Sequence, residues 1–372
     1  MSIKYHDCPV KVSSNKWCNM HLLYCFLRFL SFGVPGRYAG KFNRAAVIKH
    51  TTYCKKYFLN AIMMLVLFML CASCFIIDCE AAFKDSGWGV RPLGMGGAFS
   101  AIVNDANSPF FNPAGIAQAS QKEVSFMSAR LFTGLESVDI GLNYLAYIHP
   151  LSKKYGNIGG AWASLSSAGL YREDTVTLSY GRFTGDVIKT GPIDVALGVN
   201  LKYLRNDYNL DIRTVGDPVF SNGNVGSAFT ADMGVLALWP NTGVSFAFVG
   251  KNITQPDIGL KTLDPVSGET VIGIACYQEK MPYVRLPQFT AAFDMVTRAG
   301  VTDYRLGIET WLRDGAFAVR SGVGAQAVTF GLGYEIPVFS GSKLIIDYAF
   351  AWPLEIEKTT GSHRLGLSLR LP

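Results

Sequence analysis

From about Ser120 onwards the chain repeats apolar and small-or-polar residues with a period of two, and nothing else limits its fold as much. In Lys343–Trp352, Leu344, Ile346, Tyr348, Phe350 and Trp352 share one face, and Lys343, Ile345, Asp347, Ala349 and Ala351 the other. Leu365, Leu367, Leu369 and Leu371 alternate with Arg364, Gly366, Ser368 and Arg370. The same pattern runs through 194–204 and 228–239. Side chains alternate across a strand, so these segments are strands with one greasy face. They run for about 9–13 residues, the length that crosses a bilayer at a tilt. Their second face carries Gly, Ser, Thr and Asn with an occasional Arg, Lys or Asp. An apolar face toward lipid and a small or polar face toward a lumen describe an all-β transmembrane antiparallel barrel. Tyr180, Tyr203, Trp239, Phe339 and Trp352 lie near segment ends, where interfacial girdles form.

Strands are expected near 123–132, 141–151, 157–167, 174–183, 193–207, 228–240, 242–253, 284–297, 303–312, 315–326, 327–339, 343–354 and 362–371. That makes thirteen, and single-chain bacterial barrels have even strand numbers. The expected count is fourteen, with twelve as the alternative. The missing strand is sought within Gly268–Gln278 or near the barrel's start, and Ile253–Val284 is the longest connection.

The N-terminal part differs in chemistry. Residues 1–60 hold ten Lys/Arg and one acid, a charge of 10 − 1 = +9, so the remaining 312 residues carry 6 − 9 = −3. The main body is near neutral, so the basic balance gives no case for nucleic acid. Seven of the eight cysteines fall within the first 79 residues, leaving Cys276, so no disulfide framework holds the main body. The apolar run Tyr57–Ile77 follows Lys55 and Lys56, and Cys79 and Ala81 stand at −3 and −1 of a cleavage after Ala81. This reads as a signal peptide over 55–81. A transmembrane helix is the competing reading. A lipoprotein acylated at Cys74 lacks the usual large aliphatic residue ahead of the cysteine. Residues 1–54 are then an extension upstream of a mis-assigned start, with Val47 as the initiating codon.

Catalytic chemistry is scarce. After the leader only His149 and His363 remain, so no Cys/His zinc site can be assembled from ordinary spacing. Neither a nucleophile elbow nor a phosphate-binding P-loop appears. Gly94, Gly96 and Gly97 have no third glycine in dinucleotide register. Asp105, between Asn104 and Asn107, is expected in a solvated Asx turn. Asn252-Ile253-Thr254 matches a glycosylation sequon of little meaning in a bacterial barrel. Nothing in the sequence brings Asp139, His149 and Ser179 together. The chain is read as a non-enzyme with no cofactor and no metal.

One stretch ahead of the strands is distinctive. Arg91, Leu93, Gly94, Met95, Gly96, Gly97 and Ala98 are followed by Asp105-Ala106 and then Asn112-Pro113-Ala114-Gly115. Asn, Pro and Gly stand at type I turn positions in the last of these. This order resembles the N-terminal region of the FadL and PorV-like outer-membrane barrels. Asp347-Tyr348-Ala349 and Ser362-His363-Arg364 look PorV-like. The terminal strand is similar to the signal read by the barrel-assembly machinery, without its usual terminal aromatic. The resemblance implies fourteen strands, 123–372, with residues 82–122 folded into the lumen as a hatch. The candidate hatch and ligand residues are Gly94, Gly96, Gly97, Phe99, Phe110, Phe111, Asn112, Pro113, Ala114 and Gly115. Glycines permit close backbone approach, and the phenylalanines fill the lumen or line an apolar path. The implied function is passive uptake of a hydrophobic small molecule of the fatty-acid class across the outer membrane, in contact with outer-membrane lipid. The alternative is a PorV-like barrel that anchors or shuttles secreted-protein partners.

Overall fold

The computed structural model describes residue 83 and residues 87–372, apart from 137, 153, 186–191, 213, 215, 278–287, 314 and 340. The expected leader and the segment upstream of it therefore lie outside the described residues.

Fourteen antiparallel strands close into one barrel, with β1 paired to β14. In chain order they are β1 (Lys122–Thr133), β2 (Ile140–Ser152), β3 (Gly156–Ser167), β4 (Tyr171–Phe183) and β5 (Asp194–Tyr208). Next come β6 (Val225–Trp239), β7 (Val244–Lys251), β8 (Glu269–Tyr277), β9 (Phe289–Arg298) and β10 (Val301–Leu312). The circuit ends with β11 (Phe317–Val323), β12 (Ala327–Pro337), β13 (Lys343–Pro353) and β14 (Gly361–Leu371). The strand missing from the periodicity is β8, inside the long connection.

The register sets the barrel's dimensions. Starting at Trp239 on β6, the paired residues run through Val244, Cys276, Ala291, Ile308, Ser321, Phe330, Phe350, His363, Arg130, Gly141, Ser166, Arg172 and Asp207. The circuit returns to β6 at Val225, a stagger of 239 − 225 = 14 residues. Equal stagger and strand number tilt the strands by about 35° and give a backbone radius of about 13 Å. That lumen is wide enough to need filling.

The outer face is apolar. Leu197, Val199 and Leu201 on β5, Phe330, Leu332 and Tyr334 on β12, and Leu365 and Leu367 on β14 are all exposed. On β5 the greasy outward run from Val195 to Tyr203 covers 8 residue steps, about 22 Å along the axis, matching a bilayer's core. Among the described residues no helix is long and apolar enough to span a membrane. Tyr203 and Trp352 mark one edge of the band, Trp239 the other. Tyr180 sits further inside the band, its hydroxyl donating to the Tyr155 carbonyl at 2.9 Å. The long connections 209–224 and 252–268 lie at the end opposite the C terminus. By the usual asymmetry of such barrels this is the outer end, and the C-terminal end is the inner one.

Residues 87–121 lie inside the barrel. They form a short helix α1 (Val90–Gly94), a single turn α2 (Ser108–Phe111) and a 3-10 segment, Pro113–Gln118. Such short pieces do not persist alone and are held by the wall around them. Met95, Phe99, Ile102, Val103 and Phe111 form a core with the inward Ala196, Leu236, Ala247, Ala275 and Ala292. The wall offers alanines and glycines where the plug presses hardest.

Candidate functional site

The plug is seated on glycines. A Cβ on Gly198 would stand 2.2 Å from Ala114 N and Pro113 C, and one on Gly322 2.1 Å from Gly96 N. On Gly234 it would meet Asn112 Oδ1 at 2.1 Å. Gly94 packs its backbone against Gly331. Gly96 and Gly97 have φ of 66° and 79°, the left-handed region that a side chain disfavours. These contacts bring the sequence's two small-residue patterns together: the Gly-rich stretch and the small inward face of the strands.

Asn112-Pro113-Ala114-Gly115 keeps its expected turn chemistry in a tighter setting. The Asn112 side chain caps the 3-10 segment by accepting from Ala114 N at 3.0 Å. Its Nδ2 donates to Ser100 O at 3.1 Å within the plug and to Val235 O at 3.2 Å in the wall. Pro113 and Ala114 lie over Gly198, and Gly115 presses on Val103. Phe99 and Phe111 meet edge-on at 5.3 Å, and Phe110 meets Tyr144 edge-on at 5.4 Å.

Polar wall groups fasten the plug's backbone. Asp294 on β9 accepts from Phe99 N and Ser100 N, both at 2.9 Å, and from Ser100 Oγ at 2.8 Å. Asn157 donates to the carbonyls of Ile116, Ala117 and Ala119. Asn200 donates to Pro109 O, Ser245 to Ala101 O and Tyr144 to Ala106 O. In a barrel lumen every orphaned backbone group needs such a partner.

Arg91 on α1 is the plug's charged anchor. Its guanidinium grips Glu309 of β10 through two bonds, Nε–Oε2 at 2.8 Å and Nη2–Oε1 at 2.7 Å. Its third nitrogen donates to Asp105 at 2.8 Å and Asn104 at 2.7 Å. Glu309 is shared with the buried Arg320, which also binds Asp347 at 2.6 Å. Burial works against the Arg91 charge, but the Glu309 and Asp105 carboxylates outweigh it and hold the pKa well above the ordinary guanidinium value. Asp105 does form an Asx turn, accepting from Asn107 N at 2.9 Å. It is buried rather than solvated, because the ion pair with Arg91 draws it into the plug.

Above the plug, at the outer end, lies an open cavity of about 590 Å3. Its floor is Gly87, Leu93, Gly96 and Gly97. Apolar walls come from Leu131, Phe132, Ile140, Leu165, Pro353 and Ile356, with Tyr171, Glu173, Asp303, Arg305, Glu355 and Arg364 among them. Phe132 reaches it from a register break between β1 and β14 and has φ of 51°. On the plug's other flank Phe183, Leu238 and Tyr277 pack against its apolar core.

The structure brings the candidate residues together in one plug. Phe99, Phe111, Asn112 and Ala114 are buried in it. Sequence reasoning missed the wall residues that hold it, Glu309, Arg320, Asp294, Asn157 and Asn200. Their only sequence signal is a polar residue on an inward position. Asp139, His149 and Ser179 stay apart: Asp139 stands at the outer end, His149 on the outer face near the inner end, and Ser179 in the lumen. Asn252 of the sequon is buried, its Oδ1 accepting from Lys202 at 2.5 Å. Among the described residues no cluster of three or more His, Cys, Asp or Glu could hold a metal.

No protein-family model matches the chain, and no curated protein matches it either. Among solved structures, the chain is similar to the Ralstonia pickettii toluene transporter TbuX, with a TM-score of 0.49 and 11% identity over 78% of this chain and 99% of that one. It is similar also to the Pseudomonas putida toluene transporter TodX, with a TM-score of 0.47 and 12% identity over 80% and 99%. A Pseudomonas aeruginosa FadL homologue matches with a TM-score of 0.44 and 12% identity over 80% and 98%.

Proposed function

We propose that the chain is an outer-membrane channel that admits hydrophobic small molecules, long-chain fatty acids among them, by diffusion past a movable N-terminal hatch. The observation that carries this reading is the cavity of about 590 Å3 at the outer end, floored by the plug itself. Its size is that of a small-molecule site, and its walls are largely apolar. Arg305 and Arg364 line the same cavity together with Glu173, Asp303 and Glu355, so charges of both signs stand among its apolar walls. Phe183, Leu238 and Tyr277 of the wall pack against the plug's cluster of Phe99 and Phe111, an apolar surface that a displaced hatch would uncover.

Gly94, Gly96, Gly97, Phe99, Phe110, Phe111, Asn112, Pro113, Ala114 and Gly115 act in this scheme as the hatch. Many short contacts hold it closed, each individually small. A ligand that binds the cavity better with the hatch displaced shifts the balance toward passage. The test is uptake of labelled oleate by cells lacking their own fatty-acid channel and producing this protein. Uptake above the empty control is expected. No uptake, from a protein shown by heat-modifiable migration to be a folded barrel, would overturn the proposal.

A further inference from the structure

The charges on the barrel's outward face are distributed unevenly between its two ends. Near the outer end, Arg130 pairs with Asp139, Arg172 with Asp174 and Arg205 with Asp207, so that rim is locally neutral. At the inner end of β1–β4 the outward groups are Lys122, His149 and Arg182, and the β2–β3 turn adds the exposed Lys154. Among the described residues no acidic side chain shares this outward face. Glu123, the neighbour of Lys122, points into the lumen and is buried.

The wall above this basic rim is dented. Tyr147, Gly160 and Leu178 stand in one register row across β2, β3 and β4. The two flanking side chains are exposed, Leu178 by 63%, and Gly160 between them has no side chain. A Cβ there would find its nearest atoms at 3.6 and 3.9 Å, in ordinary contact, so no neighbouring side chain fills the space. The next row inward is His149, Ile158 and Tyr180. The Tyr147 hydroxyl is bonded to His149 Nδ1 at 2.7 Å, and Lys154 lies 5.4 Å from the Tyr155 ring centre. A furrow in the apolar wall thus leads to a basic and aromatic rim at headgroup depth.

We propose that this furrow and rim form a binding site for an anionic phospholipid of the inner leaflet. One acyl chain lies along Gly160 between Tyr147 and Leu178. The phosphodiester accepts from Lys122 and Lys154. The site rests on the reading of the chain as a membrane barrel, and it is separate from the lumen and its ligand. Juxtamembrane Lys and Arg favour anionic headgroups by about fivefold each.

The full chain, folded in detergent, is mixed with equal amounts of dioleoyl phosphatidylglycerol and dioleoyl phosphatidylcholine, and retained lipid is read by native mass spectrometry. The chains are identical, so a preference reports the headgroup. Wild-type protein is expected to retain the anionic lipid at least about fivefold over the zwitterionic one. Lys122→Gln with Lys154→Gln should cut the ratio at least about fivefold, and Gly160→Leu should lower retention of both lipids. Soluble glycerophosphate in excess should not displace the lipid. Equal retention by wild type, a preference untouched by the double lysine variant, or full displacement by glycerophosphate with no effect of Gly160→Leu would each overturn the site. Heat-modifiable migration is recorded on the same samples. A folded barrel without preference removes the lipid site alone, whereas failure to form a barrel removes the membrane reading and the site with it.

Discussion

Adding one methyl group at Gly198 should loosen the hatch without unfolding the barrel. The new Cβ would stand 2.2 Å from Ala114 N and Pro113 C. Both are plug backbone, with no flexible side chain to swing away. Ordinary contact begins near 3.4 Å, so the plug has to retreat by 3.4 − 2.2 = 1.2 Å. That retreat stretches the Asn112 Nδ2 bond to Val235 O, already 3.2 Å, beyond useful length. Overpacking of this kind costs about 1–3 kcal/mol, and here it falls on the docked plug alone. The ratio of undocked to docked plug should then rise about 5- to 150-fold. Conductance of purified protein in planar bilayers measures it: Gly198→Ala should open more often and for longer than wild type. Gly160→Ala is the matched control, since its methyl faces outward and meets nothing closer than 3.6 Å. If Gly198→Ala conducts like wild type and like Gly160→Ala, the close seating of the plug on the wall is wrong.

Further expectations concern the polar fastenings. Breaking the Arg91–Glu309 pair by Arg91→Gln should cost about 3 kcal/mol of resistance to guanidinium unfolding, and Arg91→Gln with Glu309→Gln less than the sum of the single changes, as a double-mutant cycle would read. The Arg91 pKa is raised in the folded state, so its contribution is complete below the unfolded guanidinium value and is lost only as pH climbs through the still higher folded one. Unfolding midpoints attributable to this pair, taken as wild type minus Arg91→Gln, should therefore stay level across the whole alkaline range below the ordinary arginine pKa; a falling difference there would contradict the assignment. Asn112→Ala removes the cap on the 3-10 segment, worth about 1 kcal/mol, and strips Ser100 O and Val235 O of a donor. It should change oleate uptake while heat-modifiable migration persists.

Much of the wall was legible because each strand is read by two solvents, lipid outside and lumen inside, and period two records that division. β8 shows where the record fails. Its outward Thr270, Ile272, Ile274 and Cys276 oppose inward Val271, Gly273 and Ala275. Inward Ala275 joins the plug's apolar core and inward Val271 packs with Val249 and Val296 of the wall, so apolar residues stand on both faces and the alternation is blurred. The plug was legible only as a glycine-rich stretch and a turn. What fixes it in place joins residues distant in the chain, as Arg91 and Glu309 are, 218 residues apart. Glu309, Asp294 and Asn157 looked like ordinary lumen-facing polar residues, because the groups they fasten are plug backbone and one arginine. The misjudged exposure of Asp105 has the same origin: an Asx turn is local, but its burial is decided by Arg91.

The central claim is that the hatch moves when ligand passes, and a reversible tether tests it most directly. A Cβ on Gly366 would stand 3.4 Å from the Val90 Cβ, close to the separation across a disulfide. Val90→Cys with Gly366→Cys, in a Cys276→Ser background, joins α1 to β14. Labelled oleate uptake is measured with the tether oxidised and again after reduction. Loss of uptake on oxidation and its return on reduction is the predicted result. Equal uptake in both states, with the crosslink confirmed by mass spectrometry, would contradict it.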